Sequence, residues 1–531
     1  MPVSRALNAA ALPRLRRRVV AAVCALSLLA PGALAPVAAQ NSLPALGDTD
    51  SADFTLGTEK KLGDEIMRAI HADPDYVDDP LLLEYLVTVW QPLLVASRSL
   101  GNITADIDQR FAWQPFLVRD PSVNAFALPG GYVGVHLGLI AMTVTRDELA
   151  SVLAHEMSHV SQRHIARSIS GDSKRSLVGL AALVLGMLAA SRSGSPDAMS
   201  AVMASTQAAT IQGQLNFSRE VEREADRVGF QVLTAAGYAP GGMAAMFEKM
   251  EASSRLNDFG GFPYLRSHPL TVERIGEARA RAGITSTVSR VSVLEHTVAQ
   301  SRARVLMDTR VDALRRWEAR DADREGSAAD KLRAAYESAL AASMLRDWAR
   351  ADASFAVAFG IVRGSPNSSA RAERAIALTQ AQSLLDRGAA AQAADAIKAY
   401  TGDGSRPTLL LEAQIALRAT PAISPDSAVL KLRASELQTW VALHGDDALA
   451  WGALGQVWGR LGLPLRALRA EAESRYALGD LLGAVDRLRA GQRLARGGGP
   501  VDFIDVSVID SRLRDIELQR KQLAADQRAA R

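Results

Sequence analysis

Residues 154–164 read AHEMSHVSQRH, and this short stretch holds three of the chain's eight histidines. Just upstream, Thr145 opens TRDELASVLAHEMSHV, and Glu148 follows three residues later. That pairing is the signature of a capping box and predicts a helix start. Leu149, Val152, Leu153, Met157 and Val160 recur at helical spacing and supply an apolar face. The quoted stretch therefore lies in the middle of a helix. There His155 and His159, four residues apart, share a face at the spacing that holds one metal ion. Glu156 projects beside that position, where it can take a proton from a water. This is the H-E-x-x-H pattern of zinc proteases. The competing reading is a histidine-rich helix surface, and the rest of the chain has to decide between them.

A catalytic zinc site needs a third protein ligand and an open corner for water. The candidate lies in EREAD, 222–226. Glu222 would be the ligand, and Asp226, one turn later, would accept a hydrogen bond from the far nitrogen of a ligand histidine. Taken alone, REVEREADR reads as a solvated charged face; after a capped H-E-x-x-H helix it reads as the missing ligand.

The segments around these two helices have their own signals. FLVRD (116–120) and NAFALPGGYVGVHLGLI (124–140) predict strands, with a bend at Gly130 and Gly131. Asn124, Ala125, Phe126 and Ala127 would form an edge beside the metal that pairs with an extended substrate, or else one side of a plain hairpin. His136 alternates with apolar strand residues and reads as structural. His164 reads as a hydrogen-bonding group near the end of the metal helix. Residues 217–238 predict a second helix, and SHPLTVERIGEARAR (267–281) a third, with Pro269 suited to its first position. His268 could sit at the metal's fourth corner, stabilise an oxyanion, or only help begin that helix. Tyr264 and Arg223 are further oxyanion candidates, unranked.

NAFALPGG, LAHEMSHVSQRH, SREVEREADRVG and SHPLTVERI, in this order, resemble the gluzincin metallopeptidases related to HtpX and the CAAX prenyl endopeptidases. The resemblance covers residues 55–285. It implies one zinc ion held by His155, His159 and Glu222, with Glu156 as general base. In a related family the loop matching SHP lies close to the zinc, which is what brings His268 into question. The chain lacks the transmembrane helices of the membrane-embedded relatives, so prenylated substrates are not expected. With its N-terminal leader and C-terminal helices, it is most similar to the periplasmic branch that enhances β-barrel assembly. That branch implies unfolded or misassembled outer-membrane proteins as substrates, and as partner the outer-membrane β-barrel assembly machinery, met through the repeats.

The leader is read from residues 1–39. They carry Arg5, Arg14, Arg16, Arg17 and Arg18, no acid, then VVAAVCALSLLAPGALAPVAA with small residues at Val37 and Ala39. That is the pattern of a secretory signal peptide and predicts an exported protein, which the resemblance implies is periplasmic; a retained anchor is the other reading. Without those five arginines, 56 basic residues remain against 58 acidic, so charge gives no case for nucleic-acid binding. The single cysteine, Cys24, lies in the leader, where a lipoprotein signal is a weak reading because apolar residues follow it. A chain cut after Ala39 would have neither disulfides nor a cysteine nucleophile. Beyond the leader the longest apolar run noted is LVGLAALVLGMLAA, 177–190, shorter than the roughly 20 residues a membrane-crossing helix needs. It reads as a buried helix, a lid beside the site, or a peripheral membrane contact.

A polar stretch near 284–290 closes the first half. The expected domains are a leader at 1–39, a mostly helical α+β zinc metallopeptidase domain with a small sheet at 40–295, and an all-α tetratricopeptide-like solenoid at 300–531. Leu461, Gly462 and Ala467 recur as Leu478, Gly479 and Ala484, an offset of half a tetratricopeptide unit. Trp451, Leu454, Gly455 and Trp458 fit the same spacing, and Gly388 with Ala393 repeats the five-residue step. Small residues would let paired helices approach while large ones fill the gaps. Two functions follow: an exported zinc endopeptidase of envelope quality control, or a chaperone or scaffold that binds clients with little proteolysis.

Overall fold

The computed structural model describes residues 55–168, 219–256, 263–283, 293–322, 326–366, 369–497 and 502–529. The leader, the apolar run 177–190 and the polar break 191–200 lie outside them.

Two helices open the described chain, α1 (Leu56–His71) and α2 (Pro80–Ser99), with the short strand β1 (Tyr76–Val77) between them. Thr55 and Asp79 cap them, each side-chain oxygen accepting from a backbone N–H three residues on. By length and composition α2 could cross a membrane, which the sequence reading overlooked. Its Leu82, Leu86, Val89, Trp90 and Leu93 are instead fully buried in the protein core.

After α3 (Ala105–Arg110) come β2 (Gln114–Val118), β3 (Ala125–Leu128) and β4 (Tyr132–His136). The sheet is mixed, in the order β1-β2-β4-β3. β1 and β3 run antiparallel to their neighbours; β2 and β4 are parallel, with Phe116 opposite Gly134. The strand expected to reach residue 140 ends at His136, and Leu137–Met142 is a helix, α4. Its residues Leu137 to Ala141 are all buried, so an apolar run without alternation concealed the change of element.

Helix α5 (Arg146–Ser161) carries the H-E-x-x-H sequence, and Thr145 caps it by accepting from the Glu148 N–H at 3.2 Å. The return half of the expected capping box is displaced. The Glu148 carboxylate accepts from the Val144 N–H at 2.6 Å and pairs with Lys249. Every residue from Glu148 to Ser161 is buried, not just an apolar face. Helix α5 is covered by α2, by β3, by α7 (Arg219–Ala235) and by α8 (Gly241–Leu256), with α6 (His164–Ser168) following it.

Two further helices complete this region, α9 (Pro263–Ser267) and α10 (Val272–Ala282). Thr271 caps α10, so Pro269 lies in the preceding turn rather than at the first helical position. Thr271 accepts from the Arg274 N–H, a bond proline cannot replace.

Helix α11 (Leu294–Met307) packs on α4 and α2 and on three helices of the second half. His296, Gln300 and Arg304 form one stripe along it. His296 Nε2 meets Thr143 O at 3.1 Å, Gln300 Nε2 donates to Ala141 O at 3.1 Å and also to Thr143 O, and Arg304 donates to Ala141 O at 3.1 Å. These carbonyls end α4, immediately before the cap of α5.

The remaining described chain is helical: α12 (Val311–Glu318), α13 (Ala328–Leu345), α14 (Trp348–Gly364), α15 (Ala370–Asp386), α16 (Ala390–Ile397), α17 (Arg406–Ala419), α18 (Ala428–Leu443), α19 (Ala448–Arg460), α20 (Pro464–Ala477), α21 (Leu481–Arg496) and α22 (Phe503–Ala529). Each packs on the next, and α13, α15, α17 and α20 also meet the next but one. Gly388, Gly462 and Gly479 sit just past helix ends at φ 87°, 75° and 77°. They are required by that backbone conformation, not by helix approach as expected. The close approach belongs to the buried alanines Ala393, Ala467 and Ala484.

Three arginines of the second half grip acids around the start of α2. Arg302 pairs with Asp79 through two bonds of 2.7 Å, Arg374 with Glu84 at 2.7 Å, and Arg406 with Asp78 at 2.6 Å. The sequence break DPDYVDDP is thus a seam between the two halves.

Candidate metal centre

Helix α5 places His155 and His159 one turn apart, with their Nε2 atoms 3.0 Å from each other. Helix α7 lies across α5, and Gly229 is the reason it comes so close. A Cβ there would stand 3.1 Å from Ala154 O and His155 N. The close crossing brings Glu222 to the imidazoles: Oε2 is 3.5 Å from His155 Nε2 and Oε1 is 3.5 Å from His159 Nε2. The turn after α9 delivers His268, whose Nδ1 is 2.9 Å from Glu222 Oε1 and 3.4 Å from His155 Nε2. The four residues are buried, and one donor atom from each lies within 4.8 Å of the others.

This donor set fits a zinc-sized cation. Two nitrogens each about 2 Å from a tetrahedral ion stand roughly 3.3 Å apart, close to the separations seen. The charge balance agrees. Burial disfavours a charged imidazole, yet Asp226 and Glu222 raise His155 to about 10. Burial, with the imidazole of His155 close by, holds His159 well below the usual range. Burial alone would raise Glu222, but His268 and His155 hold its carboxyl far below the usual carboxylate range. The carboxylates demand positive charge at this point, and only one imidazole of the motif can supply it as a proton.

Asp226 stands where the sequence predicted, its Oδ1 3.0 Å from His155 Nδ1. Arg274, which the sequence reading passed over, donates to both Asp226 oxygens at 2.7 and 2.9 Å and stands 2.9 Å from Glu222 Oε2. It lies within the quoted SHPLTVERI, but only the tertiary fold could show that its guanidinium turns inward.

Glu156 is fully buried, and among the described residues its carboxylate has no well-formed side-chain hydrogen bond, only the backbone of Ala127 lying close. Burial pushes its carboxyl up, against the opposing pull of His268 and His155. His268 Nε2 stands 3.6 Å from Glu156 Oε1. A carboxyl with raised proton affinity and no tight side-chain partner beside a cation site is suited to take and return a proton.

Of the oxyanion candidates, Tyr264 is at the site, its ring centroid 4.7 Å from that of His268 and its hydroxyl buried without a hydrogen-bond partner among the described residues. Arg223 is not; it is exposed and paired with Glu273 at 2.9 Å. Ala125, Phe126 and Ala127 lie in β3, the terminal strand of the sheet, with Asn124 just before it. His136 is buried against Ser122 and Asp120, away from the four donors.

Residues 99–282 match Peptidase family M48, whose members are metallopeptidases. That stretch contains β2 to β4, α5, α7 and all four clustered donors, so the part of the chain that is similar to this family is the part that builds the site. Among named relatives, the chain is similar to the beta-barrel assembly-enhancing protease of Escherichia coli strain K12, at 33% identity over 273 residues, 51% of this chain and 53% of the relative. It is similar to the protease of the same name from Yersinia pestis, at 35% over 249 residues, 46% and 48% of the two chains. The mitochondrial metalloendopeptidase OMA1 of Schizosaccharomyces pombe is 29% identical over 237 residues, 42% of this chain and 60% of that one. The chain thus spans about half the length of the curated relatives it matches first.

Proposed function

We propose that the chain is an exported zinc endopeptidase that hydrolyses misfolded or stalled envelope proteins in the periplasm, in outer-membrane protein assembly and quality control. The observation that carries this reading is the convergence of His155, His159 and Glu222 on one point, with the buried carboxylate of Glu156 beside it. A bound zinc ion would acidify water and polarise a scissile carbonyl. Glu156 would take the proton and deliver it to the leaving amine. Tyr264 would face the developing oxyanion, and β3 would offer its open edge to an extended substrate. The leader-like residues 1–39 and the names of the relatives support the compartment and the assembly role. The serial packing of α12 to α22 supports a tetratricopeptide-like solenoid that recruits clients or the β-barrel assembly machinery.

One observation favours the second reading, a client-binding protein with little proteolysis. His268 Nδ1 stands beside Glu222 and His155 as a fourth protein donor, and a zinc ion held by all four would have no corner left for water. One experiment separates the two. Casein hydrolysis by the full chain, abolished by a chelator, is expected for the wild type. Glu156→Gln should retain one zinc per chain while turnover falls about a hundred- to ten-thousand-fold; Glu222→Ala should lose stoichiometric metal. Proteolysis persisting in Glu156→Gln would defeat Glu156 as the general base, and absence of hydrolysis by the zinc-loaded wild type would leave only the binding role.

A further inference from the structure

Each motif imidazole is held from behind, but by different means. His155 meets a carboxylate directly, Asp226. His159 meets another imidazole: its Nδ1 is 2.9 Å from His164 Nδ1. On its far side His164 Nε2 is 3.2 Å from Glu224 Oε2, and Arg167 donates to that same oxygen at 3.0 Å. His164 is buried and Glu224 only partly so, which makes the chain a path from the metal point towards the surface.

A single placement of protons satisfies this path with neutral imidazoles. An ionised Glu224 only accepts, so His164 Nε2 carries a hydrogen. A neutral His164 then presents a lone pair at Nδ1, so His159 Nδ1 carries the next hydrogen. His159 Nε2 is left unprotonated, and it is the atom that faces His155 and Glu222. The acids of EREAD are thereby all employed: Glu222 at the metal point, Asp226 behind His155, and Glu224 behind His164.

We propose that His164 and Glu224 are positioning residues that hold His159 in its metal-ligating tautomer, tying α6 to α7 across the metal point. The proposal rests on the metal reading above. Outer partners of metal-bound histidines fix both the tautomer and the ring plane, and their loss weakens metal binding about 10- to 100-fold.

The test uses the full chain and two readings besides activity: zinc affinity by competition with a chromophoric chelator, and the visible spectrum of the cobalt-substituted protein. His164→Ala should weaken zinc about 10- to 100-fold and alter the cobalt bands. His164→Gln, whose amide oxygen can still accept from His159 Nδ1, should recover most of that loss. Glu224→Ala should move both readings the same way by a smaller amount. Wild-type affinity and spectrum in a folded His164→Ala would overturn the relay. Should that variant not fold, the partly exposed Glu224→Ala decides by the same measurements, and no change there overturns it equally. Failure of the wild type to bind metal would instead remove the reading on which the relay rests.

Discussion

His296 stands fully buried between Tyr85 Oη at 2.6 Å and the carbonyl of Thr143, and burial lowers its pKa to about 4. An unfolded histidine titrates near about 6.5. The folded form therefore binds fewer protons between these values, and stability must rise with pH through that window. The contribution of His296 is fully present above pH ~6.5 and is lost as pH falls towards ~4. In His296→Gln, melting temperature followed from pH 7 to 4 should fall less steeply than in the wild type. Parallel curves would mean that another group controls the acid side. At this scale the sequence was readable wherever a role depends on helical spacing. His155 and His159, or Glu222 and Asp226, share a face because 3.6 residues make a turn. Arg274 and Glu224 were not readable, because their partners lie on other elements and each looks like an ordinary surface charge.

Among elements, the crossing of α7 over α5 sets the separation of the donors, and Gly229 sets the crossing. A valine there would press two methyls on backbone already 3.1 Å from the site of its Cβ. Gly229→Val should cost about 1–3 kcal/mol of stability and, more specifically, weaken zinc binding by moving Glu222 away from the imidazoles. Chelator competition reads this directly; unchanged affinity in a folded variant would show that Glu222 has slack to follow. The helices themselves were legible from caps and periodicity: Thr145 and Glu148 marked the start of α5 within a residue. What was not legible was the fate of continuous apolar runs. Residues 137–141 looked like more strand and became α4, and α2 matched the composition of a membrane helix while serving as core. Periodicity is silent when every face is buried.

Across the whole molecule, the two halves are joined by apolar packing of α11 and by the acidic seam at the start of α2. Asp79 and Arg302 are only 12% and 14% exposed. Removing one partner would strand a largely buried charge, at a cost of about 3 kcal/mol. Asp79→Ala should therefore lower stability by that order in denaturant unfolding, whereas exchange of an exposed pair such as Arg316 and Asp312 should change it by less than about 1 kcal/mol. From the sequence, DPDYVDDP looked like a simple break between helices. Beyond the cap that Asp79 gives α2, its Asp78 and Asp79 are paired by Arg406 and Arg302, and Glu84 just after it by Arg374, all more than two hundred residues away.

That dependence makes the stretch a record of architecture. Kindred chains that lost the helical half would find Asp78 and Glu84 without arginine partners and Asp79 with only its cap on α2 to keep, and drift could alter all three. Lineages that keep the helical half must change acid and arginine in step. A reader of genomes could then sort the kindred by three positions near the front of the chain, before looking at anything behind them.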